Sequence, residues 1–185
     1  MRKNFGVKSW FYPQPVLIIA TYDENGNPDA MNAAWGGLYD GNMVRLCLCA
    51  GHKTTKNIQA TGAFTVSFAD AANVVASDYV GLASANTEPK KMEKSGFHLT
   101  KSQFVNAPLI DELPVAMECK LVKINEDGNV IGEIVNVSAD ESVLGEDGTI
   151  DFAKFRPISF EPVHSGYHVL GERVGNAFQD GAALK

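Results

Sequence analysis

Short β-rich runs separated by turn signals recur along the chain, and their spacing constrains the fold more than any other feature. Residues 16–22 form an apolar run closed by Asp23-Glu-Asn-Gly26, and residues 30–35 form the return segment. An Asn-Gly pair between two such runs is a strong hairpin signal. The same criteria predict further strands over residues 43–49, 63–68, 116–124, 130–137, 158–161 and 167–170. This number and spacing of strands predict a mainly β protein, an antiparallel barrel or sandwich.

Helical patterns are confined to one part of the chain, between residues 53 and 94. Start and stop signals predict three helices there, over residues 55–61 ending at Gly62, 73–82 capped by Asp70, and 88–94 ending at Gly96. No internal repeat, low-complexity segment or linker divides the sequence. We therefore expect residues 1–185 to form a single domain, a barrel with flanking helices.

The charge distribution narrows the range of ligands. The formal net charge is -6, which argues against nucleic acid and against anionic membranes, because both are bound by many Lys and Arg side chains that neutralise phosphates. Two locally basic segments, residues 52–56 and 90–101, nevertheless indicate one small anionic ligand. No apolar run approaches the ~20 residues that span a bilayer, and the first residues lack the apolar core of a signal peptide. A cytoplasmic protein is expected.

Cysteine and histidine give no strong metal or redox signal. The three cysteines make an odd number, which does not suggest a disulfide framework. Cys47 and Cys49 alternate on one face of a predicted strand, so we expect them to be reduced packing residues, with a redox or metal role as the alternative. His164 and His168 would share one face of a helix, but Gly166 between them favours a strand or turn. No metal site is predicted.

The strand over residues 43–49 runs through a short turn into a helix that begins with cations and hydroxyls. The first residues of this helix include Lys53, Thr54, Thr55 and Lys56. A helix N-terminus presents unpaired backbone N–H groups and the positive end of the macrodipole, so such residues converge on an anion. The alternatives are solvated lysines and threonines that cap the helix. The pattern predicts a phosphorylated ligand, although no Rossmann or P-loop motif is present.

Several segments together resemble the flavin reductase-like proteins with an FMN-binding split β-barrel, in particular the flavoredoxin-like branch. The resemblance covers nearly the whole chain, and its specificity lies in the order and spacing of the pieces. They are Pro13-Gln-Pro-Val-Leu-Ile-Ile-Ala-Thr21, residues 26–35, His52-Lys-Thr-Thr-Lys-Asn-Ile58, residues 62–66, Ala107-Pro-Leu-Ile-Asp-Glu-Leu-Pro114, Glu118-Cys119, Gly132-Glu-Ile-Val135 and Pro157-Ile158. The implied fold is a Greek-key-like antiparallel split barrel that binds FMN.

The resemblance also implies cofactor-binding residues. The segment Met31, Asn32, Ala33, Ala34 and Trp35 would lie against the isoalloxazine ring, and Cys49, Ala50 and Gly51 would pass close to it. The phosphate would be held by His52, Lys53, Thr54, Thr55 and Lys56, where the family commonly has Arg in place of His52 or Lys53. Further ligand contacts would come from Ala83, Ser84 and Lys91. The alternatives are that Trp35 is a core aromatic and that Lys91 belongs to a solvated charge run.

Two functions of different class follow from the resemblance. The first is an NAD(P)H-dependent flavin reductase that transfers hydride from NADH or NADPH to the flavin, a reaction that needs stacking and distance and no acid–base dyad in the protein. The second is a non-catalytic FMN electron-transfer protein that works with a redox protein partner. A flavin-free binding module is a weaker third reading. The resemblance further implies a homodimer with flavin sites at or near the subunit interface. The tail of residues 171–185 has too few apolar residues to form a core of its own, so we expect it to pack on the body or on the partner subunit.

Overall fold

The computed structural model describes residues 1–185 and is built around one seven-stranded antiparallel sheet, with strand order β3-β2-β6-β9-β10-β5-β4. A three-stranded sheet, β1-β11-β12, and a two-stranded sheet, β7-β8, complete the architecture. The large sheet curls into a half-barrel, which confirms the predicted split barrel with flanking helices.

The strands and helices have the following bounds. The strands are β1 Gln14–Pro15, β2 Leu17–Tyr22, β3 Pro28–Ala33, β4 Gly36–Asp40, β5 Met43–Cys47, β6 Ala63–Phe68, β7 Leu99–Lys101, β8 Pro108–Ile110, β9 Val115–Ile124, β10 Asn129–Ala139, β11 Ile158–Glu161 and β12 Gly166–Val169. The helices are α1 Lys53–Thr61, α2 Val74–Leu82, α3 Lys91–Ser95 and α4 Phe152–Phe155, with 3₁₀ turns at Glu141–Val143 and Asp180–Leu184. No helix is long and apolar enough to cross a membrane.

Strand β2 is buried on both faces, so the large sheet separates two apolar cores. Leu17 and Ile19 pack inside the half-barrel, in a cluster that includes Phe64 of β6. Ile18 and Ala20 point the other way, into a cluster that includes Val80 of α2. The near-continuous apolar run of β2 follows from this position, because a half-exposed strand would alternate apolar and polar residues.

The predicted hairpin is confirmed, since β2 pairs with β3 in antiparallel register across the turn at residues 23–27. The Asp23 carboxylate oxygen Oδ1 accepts the backbone N–H groups of Asn25 and Asn27 at 2.9 and 2.8 Å. The β9–β10 pair predicted from its turn is also present. Helix α1 begins at Lys53, two residues before the predicted start, and ends before Gly62 as predicted.

Other boundaries differ from the sequence prediction. Helix α3 begins at Lys91 and not at residue 88, because Pro89 and Lys90 form a turn before it, in which the Glu88 side chain accepts the backbone N–H of Lys90 at 3.1 Å. The structure adds strands β1, β4, β7 and β8 and helix α4, all of five residues or fewer. Segments this short carry too few residues for a periodic pattern to identify them. His164 lies in the turn after β11 and His168 on β12, as the strand-or-turn interpretation expected.

The prediction that Cys47 and Cys49 are packing residues is wrong. Both side chains are exposed, because Leu46 and Leu48 occupy the buried face of the same segment. Cys119 on β9 is the buried cysteine, and burial, followed by the nearby Glu118, raises the pKa of its thiol to about 12. The two surface thiols are therefore the accessible ones.

The C-terminal tail, residues 171–185, does not pack on the body of the subunit. Its apolar side chains Val174 and Phe178 are fully exposed, and every residue of the tail is exposed. Residues 1–12 are likewise exposed and carry Phe5, Phe11 and Tyr12 into solvent. Of the two alternatives for the tail, packing on the same subunit is thus wrong, and packing on a partner subunit stays a prediction.

The packing between β10 and β6 gives a test of the barrel core. A Cβ atom added at Gly132 would lie 2.4 Å from Cζ of the fully buried Phe64. Gly132→Ala should therefore lower the free energy of unfolding by about 1–3 kcal/mol through overpacking. Urea denaturation measures this change when the variant and the unmodified protein are both flavin-free. Gly37→Ala is the matched control, since nothing lies within 4 Å of its added Cβ. Equal unfolding midpoints for the two variants would contradict this packing.

Candidate functional site

A cleft of about 220 Å³ lies between strand β3, the start of α1, the C-terminal end of α2 and helix α3. Half of the sixteen residues predicted to bind the cofactor line it, namely Met31, Asn32, His52, Lys53, Thr54, Ala83, Ser84 and Lys91. The other eight do not line the cleft; they are Ala33, Ala34, Trp35, Cys49, Ala50, Gly51, Thr55 and Lys56. All sixteen lie on the elements that form the cleft or in the segments directly attached to them.

The N-terminus of α1 opens onto the cleft. His52 precedes the helix with extended backbone angles (φ -64°, ψ 141°), and its side chain does not cap the first turn. The first backbone bond within the helix runs from the N–H of Lys56 to the carbonyl of His52 at 3.2 Å. The N–H groups of the three preceding residues therefore have no intrahelical acceptor, as at any helix start. These donors give the site a partial positive charge.

A buried polar network lies beside this helix start. The Thr54 hydroxyl donates to Oδ2 of Asp29 at 2.7 Å, and the Lys91 ammonium donates to Oδ1 of the same carboxylate at 3.1 Å. The three residues are only 1–3% exposed. Thr54 therefore does not cap the helix with its side chain, and the interpretation of Lys91 as a solvated charge is wrong. Both residues bond inward while they line the cleft.

Two further lysines of α1 lie at the surface and also have partners. Nζ of Lys53 is 3.4 Å from Oδ2 of Asp23, in the β2–β3 turn. Nζ of Lys56 donates to Oδ1 of Asn86 at 3.3 Å, and the Asn86 amide in turn donates to the carbonyl of Gly51 at 3.0 Å. Asn86 thus joins the loop after α2 to the turn before α1.

Trp35 is an exposed residue and not a core aromatic, since 62% of it is accessible to solvent. Its backbone carbonyl accepts the N–H of Cys47 at 2.8 Å, which fixes the link between β3 and β4 against the end of β5. Cys49, Ala50 and Gly51 follow in the exposed turn that enters α1. The two predicted ring-binding segments are therefore attached to neighbouring parts of one surface.

Helix α2 packs closely behind β3. A Cβ atom added at Gly81 would lie 2.9 Å from Cβ of Asn32, so glycine permits the close approach. The Asn32 amide donates to the carbonyl of Ser77 at 3.0 Å. At the next residue of α2, Asp78 accepts the Tyr167 hydroxyl at 2.7 Å, and burial, followed by this bond, raises the pKa of Tyr167 to about 12. The bond to Ser77 ties the Asn32 side chain to α2, and Asn32 also lines the cleft.

Sequence reasoning missed Asp29, Asn86 and Gly81. Asp29 directly precedes the predicted return strand of residues 30–35, and it is the structure that places it at a buried position of β3, where an unpaired carboxylate would be costly. Its partners come from 25 and 62 residues further along the chain, so no local pattern identifies them. Asn86 and Gly81 act through contacts between elements, which spacing alone does not reveal.

Comparisons with known proteins agree with this fold. A family model described as "Flavin reductase like domain" matches residues 9–159. The flavoredoxin of Desulfovibrio vulgaris (Miyazaki F) is 36% identical, with a TM-score of 0.93 over 98% of this chain and 100% of that chain. Flavoredoxin from Methanosarcina acetivorans is 26% identical, with a TM-score of 0.89 over 100% of both chains.

The curated relatives match smaller shares of the chain. An uncharacterized protein of Aquifex aeolicus is 34% identical over 74 residues, which is 38% of this chain and 38% of that protein. A second relative, from Aeropyrum pernix, is 24% identical, and the match spans 79% of this chain and 57% of that protein. The chain thus spans less than two-thirds of the length of these two relatives. The family model, in contrast, covers most of the chain, and the protein belongs to the flavin reductase-like family.

Proposed function

We propose that this protein is an FMN-dependent oxidoreductase that takes hydride from NADH or NADPH. The observation that carries the proposal is the convergence, in one cleft of a flavin reductase-like barrel, of an uncapped helix N-terminus with residues of β3 and of the loop after α2. The first supplies donors for a phosphate, and the others supply the wall for the rest of a flavin mononucleotide. Membership of the family supports flavin as the ligand.

The small volume of the cleft supports a proposal in which it holds one part of the cofactor. About 220 Å³ is below the ~300–1,000 Å³ that usually encloses a whole ligand of drug size. The phosphate and its sugar-like chain fit such a space, with the phosphate at the N–H groups of Lys53 and Thr54. Thr55, in the same first turn, has a buried hydroxyl without a hydrogen-bond partner, but it does not line the cleft. The cleft residues thus fit a phosphorylated group.

The flavin ring would then lie outside the cleft, against the segment from Met31 to Trp35 and the turn at residues 49–51. This surface offers backbone groups and an exposed indole at Trp35. Bound FMN would supply the redox chemistry, accepting a hydride from the nicotinamide and becoming reduced as NAD(P)⁺ is released. The protein's part is to hold the two rings within reacting distance and to exclude water between them. No side chain needs to move a proton in this scheme.

The second candidate is a non-catalytic FMN electron carrier. This function is favoured by two proteins of high structural similarity, with TM-scores of 0.93 and 0.89, both of which are flavoredoxins. Such a protein uses the same phosphate cleft and the same ring surface, and it receives electrons from a redox protein partner. It differs from the reductase in having no productive stack for a nicotinamide.

We further propose a cytoplasmic homodimer with the flavin sites near the subunit interface. Trp35, Leu38 and Tyr39 form an exposed apolar surface on and beside the edge strand β4. Edge strands and apolar patches of this kind favour association. The exposed tail of residues 171–185 would pack on the partner subunit, and three free thiols suit a reducing compartment.

The phosphate assignment predicts that FMN binds more tightly than riboflavin. Lys53→Ala should weaken FMN binding about tenfold, because a hydrogen bond to a charged group contributes about 1.5–3 kcal/mol, while riboflavin binding changes little. Lys56→Ala should have a smaller effect, since Lys56 does not line the cleft, and the double variant should behave as the sum of both. Flavin fluorescence titration measures each affinity.

The control is Lys123→Ala, at an exposed position of β9, which should leave both affinities unchanged. Equal losses of FMN and riboflavin affinity in Lys53→Ala would contradict the phosphate assignment.

The reductase assignment predicts rapid reduction of the flavin by a nicotinamide. Anaerobic stopped-flow mixing of the FMN-loaded protein with NADH or NADPH should bleach the flavin within seconds at nicotinamide concentrations below about 1 mM, the usual upper range of Michaelis constants. No reduction by either nucleotide, together with rapid reduction by an iron–sulfur protein, would establish the carrier instead.

The homodimer proposal predicts that the flavin-loaded protein sediments as a dimer at micromolar concentration. Leu38→Asp should shift it towards the monomer, because Leu38 is 77% exposed in the single subunit and a buried unpaired charge would oppose association. Glu133→Asp, at an exposed position of β10, is the control. A stable flavin-loaded monomer of the unmodified protein would refute the dimer.

A further inference from the structure

We propose that Asp29 is a positioning residue for phosphate binding. Its carboxylate joins Thr54 of α1 to Lys91 of α3, and so holds the helix N-terminus and a buried ammonium group as one preassembled site. This inference rests on the proposed function, because the phosphate is that of FMN. Asp29 acts through Thr54 and Lys91 and does not itself contact the ligand.

Each oxygen of the Asp29 carboxylate has one of the two partners. Oδ2 accepts the Thr54 hydroxyl at 2.7 Å, and Oδ1 accepts the Lys91 ammonium at 3.1 Å. Asp29 is 2% exposed, Thr54 is 1% exposed and Lys91 is 3% exposed. At such burial the two hydrogen bonds lie in a low-dielectric environment, where they are stronger than in water. Three elements far apart in sequence, β3, α1 and α3, are thereby fixed relative to one another.

The same network faces the cleft. Asp29, Thr54 and Lys91 all line it. Asp29 is the one hydrogen-bond partner of the Lys91 ammonium, which carries three donors, so two remain for another acceptor. The backbone N–H groups of Lys53 and Thr54, which also line the cleft, have no acceptor within the helix. Unused donors collected around one helix start are what a phosphate requires.

The charge of Asp29 distinguishes positioning from mere proximity. A carboxylate close to a phosphate repels it, so a bystander Asp29 would weaken FMN binding, and its removal would tighten binding or leave it unchanged. A positioning Asp29 has the opposite effect, because its removal releases Thr54 and Lys91 from the arrangement that receives the phosphate. A buried ion pair alone is also weak evidence for a role in stability. The sign of the change in FMN affinity therefore decides between the two roles.

The test compares FMN with riboflavin, which lacks the phosphate. In flavin-free protein titrated by fluorescence, Asp29→Asn should weaken FMN binding about tenfold and change riboflavin binding less than about twofold. Glu118→Gln is the matched control, because Glu118 is a buried carboxylate (1% exposed) bonded to Ser102 and Asn136, none of which lines the cleft. It should leave the ratio of the two affinities unchanged whatever it does to stability.

Substitutions at Thr54 keep the test decisive if Asp29→Asn fails to fold. Thr54→Val removes the bond to Asp29 at nearly constant volume and should lower the preference for FMN, whereas Thr54→Ser retains the hydroxyl and should restore it. Unchanged or increased FMN preference in the folded Asp29→Asn and Thr54→Val variants would overturn the positioning role while flavin binding itself stands. Failure of the unmodified protein to bind either flavin would overturn both this role and the proposed function.

Discussion

The burial of strand β2 on both faces is the constraint on which the rest of the structure depends. Leu17 and Ile19 belong to the core inside the half-barrel, and Ile18 and Ala20 belong to the core outside it. A strand in this position requires cover on its second side, and α2 supplies part of it through Val80. Val80 also lines the cleft. The cleft therefore exists because the helix that covers the outer core ends beside β3.

Local signals in the sequence identify the parts of the fold that are themselves local. The β2–β3 turn and the start of α1 after β5 depend on residues within a few positions, and the structure contains both. Strand β4 was missed because Gly36-Gly37-Leu38-Tyr39-Asp40 shows no alternation, and it owes its existence to pairing with β5. The error at Cys47 and Cys49 has a different cause. The period of the strand was correct, but its phase was wrong, because Val44, Leu46 and Leu48 take the buried face.

In the candidate site, too, residues with a local sequence signal were predicted, and residues that depend on contacts between distant segments were missed. Lys53 and Thr54 were found because a helix start after a strand has a recognisable pattern. Asp29 was not found, because its role depends on a lysine 62 residues away. For Lys91 the resemblance implies a ligand contact, and the charges around it give a solvated charge run as the alternative. The structure buries Lys91 and leaves Lys90 and Lys94 exposed. A charge pattern describes a segment, whereas burial is decided residue by residue through tertiary contacts.

The pairing of the lysines determines how the site can bind an anion. Lys53, Lys56 and Lys91 all have a polar or charged partner within the protein. An arriving phosphate therefore shares these cations with Asp23, Asn86 and Asp29 and does not gain three free charges. What it would gain without competition is the set of backbone N–H groups at the start of α1 and the two unused donors of Lys91. The affinity of such a site would come mainly from preorganisation, because Asp23, Asn86 and Asp29 already hold the three lysines before a ligand arrives.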